Sequence, residues 1–416
     1  MPEAARLSLN SLRPSLVAVA AVALAALLGG CVEDGFEGAA DYVGSVGGLV
    51  ERLPQPKPRV VQIFIASTRK GESGPAAQQL AHGGTRYALT TLTFPPGHRP
   101  GAIERPMWGS GDPQNDIMVA GRRELDSDEF KAELASHISG RIGVNRDVLI
   151  FVHGFNTSFD DARWRAAQIV ADSRFGGVPI LFTWPSRGGL LSYVSDKDSA
   201  AASRDELQGL LEDVAKTPGL GKIHILAHSM GGWLAMEALR QASIAGDRDL
   251  GGHLGDVMLA SPDIDLDVFG QQMARIRPAK VTVFATSNDR ALGLSSWIAA
   301  DRPRVGAIDA ATPQDKAALE KLGAKVYDLS GFSDGFIGHG IYADTPDVLH
   351  AIGAQLTAPR AGDADKVSII DARGDSGPAP PAPSPAAPAT AAPAAAPAAP
   401  EAVQVTPLAP AAAAVR

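Results

Sequence analysis

The chain has a single cysteine, Cys31, among 416 residues. One thiol cannot close an intramolecular disulfide, so the fold must rest on its own hydrophobic core. Paired cysteines and a His-Glu-x-x-His helix are both missing, and with them the usual sequence signs of a metal site. No glycine-rich phosphate loop sits between a strand and a helix, so neither a metal nor a nucleotide cofactor is expected. A basic surplus is lacking as well. Lys and Arg number 38 against 46 Asp and Glu, a formal net charge of -8 with no compensating Lys/Arg-rich face, which excludes nucleic acid as a partner. No repeat of fixed period is visible.

What is present divides the chain into four parts. In residues 1–30, Arg6 and Arg13 precede an apolar run from Leu16 to Leu28, the form of a secretory signal and too short for a comfortable membrane span. Leu28-Gly29-Gly30-Cys31 resembles the bacterial lipoprotein box, in which the cysteine becomes the lipid-bearing N-terminus. With about 0.8 kcal/mol for each buried lipid CH₂, two or three acyl chains would hold the chain on a membrane. Val32 stands where enterobacteria use an aspartate for inner-membrane retention, so the expected place is the cell envelope, on the outer membrane and facing the periplasm. Residues 31–58 read as a tether. From Gly377 onward the chain is almost wholly Pro and Ala, and 361–416 reads as a disordered tail unable to bury a core.

Residues 59–360 are long enough for one large core, with 45% hydrophobic residues in the whole chain. Val60 to Ala66, Arg86 to Phe94 and Asp116 to Val119 read as strands of an antiparallel addition at the front edge. Asp126-Ser127-Asp128 can cap a helix running to Ile138. From Asp147 onward apolar strands alternate with amphipathic helices, at Ser158 to Asp172 and Ala200 to Val214 among others, the pattern of an α/β fold with a mainly parallel sheet covered on both faces.

Within it, Lys222 to Gly232 reads Lys-Ile-His-Ile-Leu-Ala-His-Ser-Met-Gly-Gly, a strand running into a serine between small residues and then a helix. This is the form of a nucleophile elbow around Ser229, with Ala227 where glycine is usual. A serine hydroxyl needs a base and a group to orient that base. Asp289 follows the apolar stretch Lys280 to Thr286, and His339 lies in the glycine-rich loop after Lys325 to Leu329. The order Ser229, Asp289, His339 is the one α/β-hydrolases use. Asp263 and Asp265, which follow the strand Asp256 to Ala260, compete with Asp289 but also suit helix capping. For the oxyanion the expected donors are the N–H groups of Met230 and of Phe155, the latter after Asp147 to Val152 and His153-Gly154. Trp184, at the end of Val178 to Thr183, and Tyr193, in the loop Gly188 to Asp196, are candidate walls of the substrate pocket.

Val152-His153-Gly154-Phe155-Asn156 with Phe159, Phe182-Thr183-Trp184-Pro185-Ser186, Ala227-His228-Ser229-Met230-Gly231, Ser261-Pro262-Asp263-Ile264-Asp265 and Ser287-Asn288-Asp289-Arg290-Ala291-Leu292 together resemble the bacterial α/β-hydrolase family of unknown function, number 900. The likeness covers most of residues 59 to 358. It implies an esterase- or lipase-like serine hydrolase fold, with Ser229, Asp289 and His339 at the triad positions, and it implies no particular substrate. The expected activity is cleavage of a carboxylic ester or related acyl bond in a small-molecule or lipid-like substrate. Acyl transfer to an envelope component, and an inactive envelope-binding protein on the same fold, are the alternatives.

Overall fold

The computed structural model describes residues 57–106, 111–187, 192–276, 279–287, 302–332 and 340–358. All of them belong to the larger of the two units into which the chain divides, Met1–Ala364. The expected signal, Cys31, all of the tether but its last two residues, and the tail lie outside the described residues.

Three strands come first, β1 (Arg59–Ser67), β2 (Arg86–Phe94) and β3 (Met118–Leu125), followed by helix α1 (Ser127–Ser139). Strands and helices then alternate: β4 (Val148–Val152), α2 (Phe159–Ser173), β5 (Val178–Thr183), the helix pair α3 (Tyr193–Ala202) and α4 (Arg204–Ala215), and β6 (Ile223–His228). Helix α5 (Met230–Ile244), β7 (Leu254–Ala260), α6 (Leu266–Ile276) and β8 (Lys280–Ala285) continue the pattern. Helix α7 (Pro313–Lys321), β9 (Ala324–Asp328), the single turn α8 (Ile341–Asp344) and α9 (Pro346–Thr357) complete it.

The strands form one nine-stranded sheet in the order β3-β2-β1-β5-β4-β6-β7-β8-β9. Only β2 runs against the others, pairing antiparallel with β1 and β3, and every pair from β1 to β9 is parallel. Central strands are apolar throughout because helices cover both faces. In β4, Val148, Ile150 and Val152 enter one core and Leu149 and Phe151 the other, as the two-residue period of a strand requires. Helices α1, α4, α5 and α6 supply the first core; α2, α8 and α9 supply the second. Helix α1 opens with the expected cap, here a full capping box: Asp126 accepts from the N–H groups of Asp128 and Glu129, and Glu129 accepts from Asp126 N–H.

The topology itself selects a position on the sheet. From β4 the chain moves to β5 on one side, then returns past β4 to β6 on the other. A crevice opens where strand order reverses in this way, at the carboxyl ends of the two strands, and ligands of open α/β sheets bind there. The residues that follow β4 and β6 are His153-Gly154 and Ser229.

Three elements differ in detail from the sequence expectation. The N-terminal strands pair antiparallel as expected, and the first of them also joins the parallel sheet, through β5. The third runs to Leu125 rather than ending at Val119; its Arg122, Arg123 and Glu124 are exposed because β3 is the sheet edge, where charge is at no disadvantage. The helix expected from Ala200 to Val214 is two helices, separated at Ser203, whose hydroxyl lies 2.8 Å from Thr68 Oγ1 and donates to Ser199 O.

The segment after β2 is tied to α2 by a charged cluster. His98 places its two ring nitrogens 2.8 Å from Glu104 Oε2 and 2.8 Å from Asp172 Oδ1. Asp172 also accepts from Gly101 N–H and Gln168. Burial lowers the His98 pKa, but the hydrogen bonds to Asp172 and Glu104 outweigh it and hold the imidazole above its ordinary 6.5. Burial raises Asp172, and its hydrogen bonds from His98 and Gly101 N–H outweigh that, leaving it below 3.8. The stabilisation from His98 is therefore complete below pH 6.5, where the unfolded chain is also protonated, and is lost as pH rises through the raised folded value. Asp172 adds a loss on the acid side, below 3.8. In urea titrations, His98→Gln should lower the midpoint most between these limits and converge toward the wild type at alkaline pH. A difference independent of pH would remove the cluster from the account of stability.

Candidate active site

The turn after β6 carries Ser229 at φ 52°, ψ −124°, a left-handed conformation that costs a non-glycine residue about 1–3 kcal/mol. Backbone bonds on both sides hold it there. Ser229 N–H donates to Ala260 O at 2.9 Å, while Ser229 O accepts from Gly232 N–H at 2.9 Å and Asp263 N–H at 3.1 Å. The side chain is 1% exposed, and its Oγ has no hydrogen-bond partner among the described residues. A buried hydroxyl without a partner is uncommon and calls for a functional explanation.

Small residues make the turn possible. A Cβ at Gly231 would overlap the carbonyl oxygens of Val152 and His153, so α5 can start here only with glycine. Ala227 is fully buried, and its methyl group is absorbed by the core on one face of the sheet. From the facing strand, Gly154 closes the gap: a Cβ there would lie 2.9 Å from both Ser229 Cβ and His228 Nδ1. Asn156, at φ 54°, then turns the chain into α2, which Ser158 caps by accepting from Asp161 N–H. Met230 is the first residue of α5, so its N–H has no intrahelical acceptor and points from the positive end of the helix dipole.

The loop from His153 is braced from behind. The His153 ring stacks on Trp184 with centroids 5.1 Å apart, and Trp184 Nε1 donates to His153 O at 3.0 Å. Nδ1 of His153 is 2.8 Å from Gly154 O, and its Nε2 accepts from Trp184 N–H at 3.2 Å. Those partners define a neutral imidazole protonated at Nδ1. Burial, with the nearby Arg69 charge, pushes the His153 pKa down to about 3. Arg69 itself is fully buried. In the sequence its one signal is its place just past the carboxyl end of β1, the strand beside β5, where sites gather.

The candidate pocket walls occupy different places. Trp184 is 0% exposed and packs behind the loop, its ring taken up by His153 and its N–H by a carbonyl, so among the described residues it presents no open wall. Tyr193 begins helix α3 rather than lying in a loop; its ring meets Phe155 edge-on at 5.6 Å, and its hydroxyl donates to Asp263 Oδ2 at 2.6 Å. Asp263 also pairs with Arg304 at 3.3 Å, in a buried set directly under the elbow. Asp265 accepts from the N–H groups of Asp267 and Val268 and caps α6.

Asp289 and His339 lie outside the described residues. Of their described flanks, Gly340 reaches this crevice. Ser287 N–H donates to Ser330 Oγ at 3.0 Å, which joins the ends of β8 and β9. Gly340 borders a cavity of about 180 Å³ together with His228, His153 and Asn156. Tyr342 stacks on the His228 ring at 4.7 Å. Among the described residues no cluster of His, Cys, Asp or Glu is arranged for a metal ion.

The family described as alpha/beta hydrolase of unknown function (DUF900) matches residues 126–360, more than half of the chain. An uncharacterized protein of Nostoc sp. is 39% identical over 123 residues, covering 23% of this chain and 32% of its own length, so the chain spans about a third of that relative. Among solved structures, an esterase of Pyrobaculum calidifontis is similar at 13% identity and a TM-score of 0.35, over 83% of this chain and 98% of its own. A carboxylesterase of Bacillus subtilis is similar at 9% identity and a TM-score of 0.34, over 77% and 99%. With its parallel sheet, its reversal of strand order at β4 and β6, and the serine turn at that point, the chain belongs to the α/β-hydrolase family of unknown function.

Proposed function

We propose that the chain is a membrane-anchored serine hydrolase that cleaves a carboxylic ester or related acyl bond through an acyl-enzyme. The observation that carries this reading is the strained, buried Ser229 at the start of α5, its hydroxyl without a hydrogen-bond partner among the described residues and its Cβ against Gly154. Structural roles for serine seldom leave the hydroxyl unpaired.

In the proposed reaction Ser229 Oγ attacks the carbonyl carbon while His339, oriented by Asp289, takes the hydroxyl proton. Charge on the carbonyl oxygen is held by the N–H groups of Met230 and Phe155. Collapse of the tetrahedral intermediate breaks the bond to the leaving alcohol, which receives the proton from His339. Water then gives a proton to His339 and attacks the acyl-enzyme, releasing the acid and restoring the serine. Closeness of Gly340 and Tyr342 to His228 supports a base delivered from that side.

Ser229→Ala should lower turnover of a short p-nitrophenyl ester by a factor on the order of 10⁴ and abolish labelling by a fluorophosphonate probe. A rate equal to wild type would end the proposal. Gly154→Ala, with folding checked by thermal melting, should reduce kcat about 10²-fold with little change in KM, since it displaces the loop that carries an oxyanion donor; an effect confined to KM would move the oxyanion elsewhere. For the anchor, Cys31→Ser expressed in a bacterial host should lose metabolic labelling by an alkynyl fatty acid and leave the membrane fraction. Equal membrane retention of both forms without label in either would rule out lipidation.

A further inference from the structure

Arg69 is the least expected residue of the site. It follows β1, it is charged, and it is 0% exposed. Burial lowers its pKa to about 10, so it still carries its charge at neutral pH. A buried charge is not justified by stability alone, since apolar residues of the same volume commonly do as well.

Its five N–H donors are all engaged, and the acceptors form a pattern. Nε donates to Thr183 Oγ1 at 2.9 Å, at the end of β5. Nη1 donates to Ala77 O at 2.8 Å and to Ser186 O at 3.3 Å. Nη2 reaches Thr157 O at 2.9 Å and His153 Nε2 at 3.4 Å. The last two residues bracket Gly154-Phe155-Asn156, so a single nitrogen grips both ends of the loop. The contact at His153 also favours the neutral ring with Nε2 as acceptor, which leaves Nδ1–H to bind Gly154 O. A counter-charge stands one residue away: the buried Asp196 accepts from Ser186 Oγ at 2.6 Å and from Arg187 N–H at 2.9 Å.

We infer that Arg69 is a positioning residue for the oxyanion loop, its guanidinium fork setting the 153–157 backbone at the distance from Ser229 that the reaction requires. This rests on the reading of Ser229 as the nucleophile. Lysine could keep the charge but not the fork, because an ammonium is a point donor without the planar spread that reaches five acceptors at once. A cavity of about 290 Å³ bordered by Arg69, Ser158 and Ser186 lies behind the loop, so removal of the side chain opens a route for a small cation.

The test compares wild type, Arg69→Gln, Arg69→Lys and Arg69→Gly, each checked by circular dichroism and thermal melting. Turnover of a p-nitrophenyl ester and inhibition by an alkyl boronic acid, a mimic of the tetrahedral intermediate, are the readouts. Arg69→Gln should lose about 10²-fold in kcat with KM nearly unchanged, and boronate affinity should fall in parallel. Arg69→Lys should show most of the same loss. In Arg69→Gly, guanidinium at sub-denaturing concentration should restore part of kcat, and ethylammonium should not. A brace acting only on stability would lower the melting temperature and leave kcat in the folded fraction intact, which overturns the inference. Should Arg69→Gln fail to fold, Arg69→Lys keeps the charge and loses the fork; a loss of about tenfold or more in its kcat supports the role, and an unchanged kcat overturns it. Fluorophosphonate labelling separates the two levels. If wild type is labelled at Ser229 and Arg69→Gln turns over normally, the positioning role falls and the nucleophile stands; if wild type is neither labelled nor active, both fall.

Discussion

Two backbones approach each other at the carboxyl ends of β4 and β6 more closely than side chains would permit, and the rest of the site depends on that approach. Gly231 lets the first turn of α5 press on the carbonyls of Val152 and His153, and Gly154 lets the facing loop press on Ser229. Neither contact would bring the serine forward without the other. The left-handed backbone at Ser229 is the local cost, and it is offset by backbone hydrogen bonds to Ala260, Gly232 and Asp263 that fasten the turn to the neighbouring strand and helix. Strain of this size persists only where the surroundings over-determine it.

Polar groups buried around the crevice carry out that over-determination. The loop after β4 is gripped from behind by Trp184, Thr183 and Arg69, while Tyr193 reaches from α3 across Phe155 to Asp263 beneath the elbow. Each bond is modest, and a typical one contributes about 1 kcal/mol net. Their value lies in direction. An apolar core tolerates small slides of its parts, whereas a donor and acceptor pair that loses its geometry loses its energy with it.

How much of this can be read from the residues follows from how local each signal is. The elbow is legible because strand, small residue, serine, small residue and helix lie within eleven positions, and period-two or helical patterns mark the elements on either side. Helix α2, β5 and the cap at Asp126 are legible for the same reason. Arg69 is not, because all its partners but Ala77, at 153, 157, 183 and 186, are distant in sequence, and a charged residue after a strand ordinarily faces water. Trp184 misleads in the opposite sense: a large aromatic at a strand end near a crevice suits a wall, and only the stacking of His153 reveals that it faces inward. The break at Ser203 is hidden too, since the residues on both sides keep helical spacing while the hydroxyl answers to Thr68 far upstream.

The pairing of β1 with β5 changes what counts as the folding unit. The matched family region begins at residue 126, yet β1 fills the sheet between β2 and β5 and delivers Arg69 to the back of the loop. A fragment cut at the family boundary would leave the backbone of β5 unpaired along one side, an open seam that invites other chains to zip onto it. Residues 59–94 are thus no ornament on a self-sufficient unit; they are a keystone laid from outside the arch that the motif alone outlines.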